Sequence, residues 1–204
     1  MKISLIIRGL AKSYPGRLVF KDINATVEDG KVLAVTGPNG SGKTTLLRII
    51  CGFIRPSRGN AILAMNGKEL RGIEIRPYIG LVSPDLVLYD ELTALENLYF
   101  FGDIAGLRFG KTDLENRLAL VGLEKRGNDI VSSYSSGMKQ RLKYCLALLR
   151  NPGLLLLDEP TSNLDDQGKA LAAEIIKSHE GILVIATNEK SELDYGDQII
   201  RLGK

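Results

Sequence analysis

The segment GPNGSGKT, residues 37–44, has the composition and spacing of a loop that binds phosphate groups. It matches the pattern G-x-x-x-x-G-K-[ST], and it lies between an apolar segment and a segment with helical periodicity. Its glycines let backbone N–H groups approach phosphate oxygens, and a helix beginning near Lys43 adds its positive N-terminal end. Lys43 would reach the β- and γ-phosphates, and the Thr44 hydroxyl would contact magnesium. The residues of this candidate site are Gly37, Pro38, Asn39, Gly40, Ser41, Gly42, Lys43, Thr44 and Thr45.

Two carboxylates, Asp158 and Glu159, follow the apolar run of LLLLDEP at residues 154–160. At the end of a buried strand, Asp158 would hold magnesium through water. Glu159 would then orient or deprotonate the water that attacks the phosphate. The alternative for Glu159 is an exposed acid that merely precedes a proline turn.

Asn188 ends another apolar run, LVIATN at residues 183–188, which is typical of a buried parallel strand. In open α/β sheets, sites gather outside the carboxyl ends of the strands. We therefore expect Asn188 to lie at such a site, where its amide can donate a hydrogen bond but cannot become a cation. The alternative is that Asn188 only terminates the strand.

The elements that must position these residues alternate between strand and helix. The predicted strands are 31–36, 77–83, 154–158, 182–187 and 198–202, and the predicted helices between them include 44–52 and 165–178. Strands separated by helices imply a parallel sheet covered on both faces. Residues 1–30 and 60–70 favour shorter β-structure, with a hairpin turn at Asn66-Gly67.

The middle of the chain predicts helices. Thr93 and Glu96 have the spacing of a capping box, and Thr112 and Glu115 repeat it. We therefore divide one domain into an α/β core with its β subdomain, residues 1–84 and 151–204, and a helical subdomain, residues 85–150.

Length and composition exclude several classes of protein. The 204 residues suit one domain, and the net charge of +3 is not clustered, so nucleic-acid binding is not expected. Cys51 and Cys145 lie in apolar helical patterns and are expected to be buried and reduced. No apolar run approaches the roughly 20 residues needed to span a bilayer, and no signal peptide is expected. The single histidine, His179, is expected on the solvated surface.

Two further segments carry a family resemblance. YSSGMKQRL, residues 134–142, resembles the signature of ABC-type ATPases, and LLLLDEPTSNLD, residues 154–165, resembles their magnesium-binding strand and following loop. From Tyr14 to the final strand, the chain resembles the ATP-binding subunit of an ABC transporter. The resemblance implies an α/β fold: a P-loop NTPase core of RecA-like type with an N-terminal antiparallel β subdomain and an inserted helical subdomain. The implied cofactors are ATP and Mg²⁺.

The signature also implies a dimer. A serine hydroxyl at Ser135, the backbone of Gly137 and the N-terminus of a helix form a second anion site. In the family, this site closes over the γ-phosphate held by the other subunit of a head-to-tail dimer, expected here to be a homodimer, although the sequence leaves a heterodimer open. Tyr14 matches the aromatic residue that stacks on adenine, and otherwise it is a plain strand-end tyrosine. Asp165 matches the loop that communicates between the two sites.

Two positions depart from the family pattern. The glutamine that normally follows the strand at 77–83 is replaced by Pro84, so either Ser83 or Asp85 substitutes for it or the contact is missing. The family's usual Thr-His pair is replaced by Thr187-Asn188, so the resemblance implies that Asn188 faces the γ-phosphate. With a neutral amide in place of an imidazole, we expect slow basal hydrolysis.

These features favour an ATP-hydrolysing subunit that powers a membrane exporter. It would lie in the cytoplasm on the inner face of the cell membrane, bound to integral membrane subunits. The segment SSGMKQRL resembles the ATPases of ABC-2-type exporters, and the short chain is similar to the haem-exporter ATPase. The apolar run at 98–101 would form either a docking groove for the membrane subunit or part of the core. The alternatives are a soluble ABC ATPase that acts on ribosomes or DNA, and a weakly hydrolysing ATP-gated module. A GTPase or P-loop kinase is disfavoured, because the guanine-reading pattern is absent and a kinase does not explain the signature.

Overall fold

The computed structural model describes residues 3–203, which divide into two compact units. The first contains residues up to 79 together with 153–160 and 179–203, and the second contains residues 80–152 and 161–178. Residues 161–178 thus group with the second unit, whereas the sequence-based division placed them in the core.

The elements of the chain alternate as follows. The strands are β1 (Ile3–Tyr14), β2 (Arg17–Glu28), β3 (Val32–Thr36), β4 (Arg58–Met65), β5 (Lys68–Arg71), β6 (Ile79–Val82), β7 (Leu154–Asp158), β8 (Ile182–Ala186) and β9 (Gln198–Arg201). The helices are α1 (Lys43–Ile50), α2 (Ala94–Ile104), α3 (Lys111–Leu120), α4 (Ser136–Ala147), α5 (Asp166–Ser178) and α6 (Lys190–Leu193).

The first unit contains an antiparallel sheet in the order β2-β1-β4-β5. In β1, Ile3, Leu5 and Ile7 are buried at alternate positions, which is the period of a strand with one face on a core. The β4–β5 connection has positive φ at Asn66 (48°) and Gly67 (82°), as a two-residue hairpin turn requires. The predicted turn and the predicted β subdomain are both confirmed.

The first unit also contains parallel strands in the order β7-β8-β3-β9. Every residue of β7 and β8 is buried, which explains their unbroken apolar sequences. Parallel pairing brings the carboxyl ends of the strands to one edge, where the phosphate loop follows β3 and Asp158 ends β7. The expected α/β architecture of a P-loop NTPase is confirmed.

The second unit carries the helices α2 to α5. The first predicted capping box is confirmed, because Thr93 Oγ1 accepts from Glu96 N (3.2 Å) and Glu96 Oε2 accepts from Thr93 N (2.7 Å). The second, at Thr112, is wrong. The α3 helix begins at Lys111 after Gly110, whose N–H donates to Asp113 Oδ2 (3.0 Å). An aspartate in the first turn suits the helix dipole, and the helix therefore starts before Thr112.

Two other expectations need adjustment. The predicted strand at 77–83 is shorter, because a 3₁₀ helix containing Pro77 occupies Gly72–Tyr78 and β6 is limited to Ile79–Val82. The middle of the chain holds three helices with long irregular connections, rather than being mostly helical. Cys51 and Cys145 are buried free thiols, as expected. Within residues 3–203, no helix combines the length and apolar character needed to cross a membrane.

Candidate nucleotide-binding site

The conformation of the phosphate loop requires glycine for steric reasons. Gly37, Gly40 and Gly42 have positive φ (153°, 78° and 104°), a region that side chains disfavour. A Cβ at Gly37 would lie 2.5 Å from the carbonyl oxygen of Leu202, and one at Gly42 would lie 2.4 Å from Val19 Cγ1. The loop is therefore packed so closely against its own unit that only glycine fits at these two positions.

Lys43 is buried at the first position of α1, with 6% of its surface exposed. Its Nζ donates to the carbonyl oxygen of Gly37 (2.8 Å), so the ammonium group lies within the curve of the loop. A second cation supports the loop from outside, because Arg17 donates to the carbonyl oxygen of Gly40 (2.9 Å). Sequence reasoning missed Arg17, since a basic residue after a hairpin turn carries no spacing signal.

Thr44 and Asp158 meet at the edge of the sheet. Thr44 Oγ1 donates to Asp158 Oδ2 at 2.6 Å, and Asp158 is only 3% exposed. A hydroxyl and a carboxylate are hard oxygen ligands of the kind that Mg²⁺ prefers. The two side chains that the sequence assigned to magnesium are therefore brought together, and their chemistry fits that ion.

Glu159 has an unusual backbone conformation. Its φ is +51°, in the left-handed region that costs a non-glycine residue roughly 1–2 kcal/mol. Its N–H donates to the carbonyl oxygen of Ala186 (2.8 Å), which holds the residue against the end of β8. The side chain is exposed. Strain of this type concentrates at functional sites, and here it occurs at the residue directly after Asp158.

Asn188 lies against the phosphate loop. In the amide orientation that satisfies its neighbours, the nitrogen donates to the carbonyl oxygens of Gly37 (2.6 Å) and Thr187 (3.2 Å), and the oxygen accepts from Lys43 Nζ (3.1 Å). In the opposite orientation, the oxygen accepts from Gly37 N (3.4 Å) and the nitrogen donates to Asn39 Oδ1 (3.3 Å). Both orientations join the end of β8 to the loop that carries Lys43.

Tyr14 ends β1 in the hairpin that contains Arg17. Its side chain is 46% exposed, and Lys12 Nζ lies 4.6 Å from the ring centroid. Because Arg17 contacts Gly40, the hairpin lies beside the phosphate loop. The position suits an aromatic residue that contacts a base.

His179 does not lie on the solvated surface, so that expectation is wrong. It is partly buried, and its Nε2 is enclosed with no hydrogen-bond partner among the residues that the structure describes. Burial lowers the pKa of its imidazole, which favours the neutral form. The sequence was misleading here, because a polar residue just after a helix suggests an exposed position. In the structure, Gly181 lets the chain pack tightly beside the imidazole.

The second unit contains the signature segment. Ser135 is the N-cap of α4, and its Oγ accepts from Met138 N (3.2 Å). Gly137 lies in the first turn, and a Cβ there would come within 3.4 Å of the carbonyl oxygen of Asn163. Asp165 caps α5, with Oδ1 accepting from Gly168 N (2.8 Å). The helix start predicted at Ser135 and Ser136 is confirmed.

Aromatic side chains form a cluster elsewhere in the second unit. The Tyr89 ring lies 4.8 Å from that of Phe100 and 5.8 Å from that of Phe101. Leu98 is fully buried, whereas Phe100 is 39% exposed and Val87 is 76% exposed. The apolar run at 98–101 therefore serves both the core and an exposed surface.

Comparison with known proteins places this geometry in a family. The family model described as "ABC transporter" matches residues 20–162. The lantibiotic transport ATP-binding protein SrtF of Streptococcus pyogenes is 35% identical over 195 residues, covering 94% of this chain and 82% of that protein. The sulfate/thiosulfate import ATP-binding protein CysA of Synechocystis is 37% identical over 206 residues. The linearmycin resistance ATP-binding protein LnrL of Bacillus subtilis is 34% identical over 189 residues.

The alignments cover the two last-named relatives only in part. They include 97% and 90% of this chain but 58% of CysA and 60% of LnrL. Solved structures agree on the fold over greater lengths. An ATP-binding subunit of an ABC transporter matches with a TM-score of 0.81 and 29% identity, over 97% of this chain and 85% of that one. A dimeric ATP-binding cassette in a post-hydrolysis state, bound to ADP and Pi, matches with a TM-score of 0.82 and 26% identity, over 97% and 94%.

Proposed function

Because the chain belongs to the ABC transporter family of ATP-binding proteins, we propose that it is the ATP-hydrolysing subunit of a membrane exporter. The observation that carries this proposal is one edge of the parallel sheet. There, Lys43 and Thr44 follow β3, and Asp158 and the strained Glu159 lie at the end of β7. These groups are the ones that bind a nucleoside triphosphate and act on water beside it.

Each residue of this edge has a distinct task. The amides of the phosphate loop and Lys43 bind the phosphate oxygens, and Tyr14 contacts the adenine. Thr44 and Asp158 would hold Mg²⁺, which when bound supplies positive charge at the phosphates. Glu159 orients the attacking water and accepts its proton, and its exposed carboxylate is available for that purpose. Asn188 donates a hydrogen bond to a γ-phosphate oxygen in place of its present contact with Gly37.

A second copy of the chain would complete the site. The N-terminus of α4, with the hydroxyl of Ser135 and the backbone of Gly137, has the chemistry of an anion site. We assign it to the γ-phosphate bound by the partner, in a head-to-tail homodimer. That a similar cassette was solved as a dimer bound to ADP and Pi supports this assembly.

The membrane subunits would dock on the exposed part of the aromatic cluster, where Phe100 and Val87 present apolar surface. The protein would then lie on the cytoplasmic face of the membrane. Export is supported by relatives named for lantibiotic transport and linearmycin resistance, although another is named for sulfate import. The haem cargo, which was expected from the family resemblance, stays a prediction.

A pair of variants tests the two-subunit site. Lys43→Ala should abolish ATP binding to the monomer, because the loop loses the buried cation at Gly37. Ser135→Ala should leave monomer affinity intact and weaken ATP-driven dimerisation instead. Isothermal titration on dilute monomer and gel filtration at higher concentration separate the two effects. Equal loss of monomer affinity in both variants would show that Ser135 is not supplied across an interface.

A further inference from the structure

Lys143, on the signature helix α4, holds the loop where the family's glutamine is missing. Its Nζ donates to the carbonyl oxygens of Pro84 (2.9 Å) and Ser83 (3.2 Å). Proline has neither a polar side chain nor a backbone N–H. Pro84 can therefore form hydrogen bonds only through its backbone carbonyl. Ser83 is 6% exposed, so one end of this contact is buried.

Lys139 makes a second connection one helical turn earlier. Its Nζ contacts both carboxylate oxygens of Asp90, at 2.8 and 2.9 Å. Residues four apart lie on the same face of a helix. The two lysines of α4 therefore hold residues 83–90 at both ends, and we call these contacts the lysine clamp.

The two contacts of the clamp differ in exposure: Lys143 is partly buried, whereas the side chains of Lys139 and Asp90 are 30% and 49% exposed. Hydrogen bonds from an ammonium group are roughly twice as strong as neutral ones. Burial lowers the pKa of Lys143, which means that its ammonium has lost part of its water shell. The carbonyls of Ser83 and Pro84 replace part of that water, and the nearby carboxylate of Asp85 also favours the charged form.

The clamp also acts on the part of α4 that carries the proposed anion site. Lys139 and Lys143 lie about one and two turns beyond the N-cap Ser135, and two turns span roughly 11 Å. A helix of this length moves as a rigid element, so a shift at the clamp becomes a shift of its N-terminus. Hydrogen bonds to phosphate fail over displacements on the order of 1 Å.

We propose that the lysine clamp positions the N-terminus of α4 for ATP-driven dimer closure, which makes Lys139 and Lys143 positioning residues for ATP hydrolysis. The inference rests on the proposed role of Ser135 and Gly137 at the partner's γ-phosphate. The clamp fixes residues 83–90 to the signature helix through backbone carbonyls and a carboxylate, so the segment and the helix move together.

The test uses the full chain with Glu159→Gln, so that ATP is not consumed. Lys143→Met and Lys139→Met are compared with Lys143→Arg and with a control, Lys177→Met, at an exposed lysine on α5. Lys143→Met should raise the protein concentration for half-maximal dimerisation with ATP and Mg²⁺ about tenfold, the size expected for a lost charged hydrogen bond. Lys139→Met should raise it by a smaller factor, up to about fivefold, because its ion pair with Asp90 is partly exposed. Monomer affinity for ATP should stay within about twofold of the parent, Lys143→Arg should restore dimerisation, and Lys177→Met should match the parent.

Ser135→Ala in the same background distinguishes a failure of the lysine-clamp proposal from a failure of the proposed anion site. If Ser135→Ala weakens dimerisation while Lys143→Met and Lys139→Met do not, the clamp inference is overturned and the anion site stands. If none of the three affects dimerisation, the role of Ser135 is overturned together with the clamp. Should Lys143→Met fail to fold by circular dichroism, the more exposed pair carries the test through Lys139→Met and Asp90→Asn.

Discussion

Substitution of Asn188 probes the step at which charge develops on the phosphoryl group. The amide of Asn188 contacts Lys43 Nζ at 3.1 Å and the carbonyl oxygen of Gly37 at 2.6 Å. In the proposed site, it donates a hydrogen bond to a γ-phosphate oxygen instead. Asn188→Ala removes one neutral hydrogen bond, which contributes about 1 kcal/mol, and turnover should fall roughly fivefold. Affinity for ATP should hardly change, because the phosphate loop and Lys43 remain.

Asn188→His should act in the opposite direction. A protonated imidazole forms a charge-assisted hydrogen bond about twice as strong as that of an amide, and a gain of about 1.4 kcal/mol raises turnover tenfold. Lys43 close by opposes protonation, whereas the phosphates favour it. The gain should therefore appear below the pKa of the new histidine, near 6.5 before these shifts, and disappear as the pH rises through it. The parent, with an amide, should show no such step.

The assay is steady-state ATP hydrolysis by the isolated subunit at pH 6 to 9, for the parent and for the alanine and histidine variants. ATP affinity measured on each monomer serves as the control. Equal turnover in all three proteins would refute a contact between Asn188 and the γ-phosphate. A histidine variant that is faster but independent of pH would refute the role assigned to charge.

Two further predictions concern Tyr14 and the buried thiols of Cys51 and Cys145. Tyr14→Ala should weaken ATP binding about tenfold while Tyr14→Phe keeps it, since base–aromatic stacking contributes roughly 1–3 kcal/mol; calorimetry that finds equal affinity for both would remove Tyr14 from the site. Burial raises the pKa of Cys51 and of Cys145 to about 12, so neither thiol should react with iodoacetamide at pH 8 in the native protein, and both should react in denaturant. Rapid native alkylation, detected by mass spectrometry, would contradict this burial.

Much of the fold could be predicted because its signals are local. The continuous apolar runs of β7 and β8 are the pattern of strands buried on both faces, and Asn66-Gly67 specifies its own turn. The phosphate loop could be predicted for the same reason, since Gly37 and Gly42 admit no side chain where they stand.

The contacts that the sequence could not predict join residues far apart in the chain. Arg17 reaches Gly40, and Lys143 reaches Pro84 across 59 positions. Neither contact has a period or a spacing rule, because each depends on how separate elements pack. The failed capping box at Thr112 has a different cause: a competing helix start at Gly110, with Asp113 in the first turn, has the same spacing two positions earlier.

The proposed mechanism depends most directly on Glu159. Glu159→Gln keeps the size of the side chain but removes the base, so hydrolysis should slow by roughly 10²–10⁴-fold while ATP binding is retained. Gel filtration with ATP and Mg²⁺ should then show a stable dimer containing two nucleotides, whereas the parent with ADP elutes as a monomer. A Glu159→Gln protein that stays monomeric and hydrolyses ATP at the parent rate would contradict both the base and the two-subunit site.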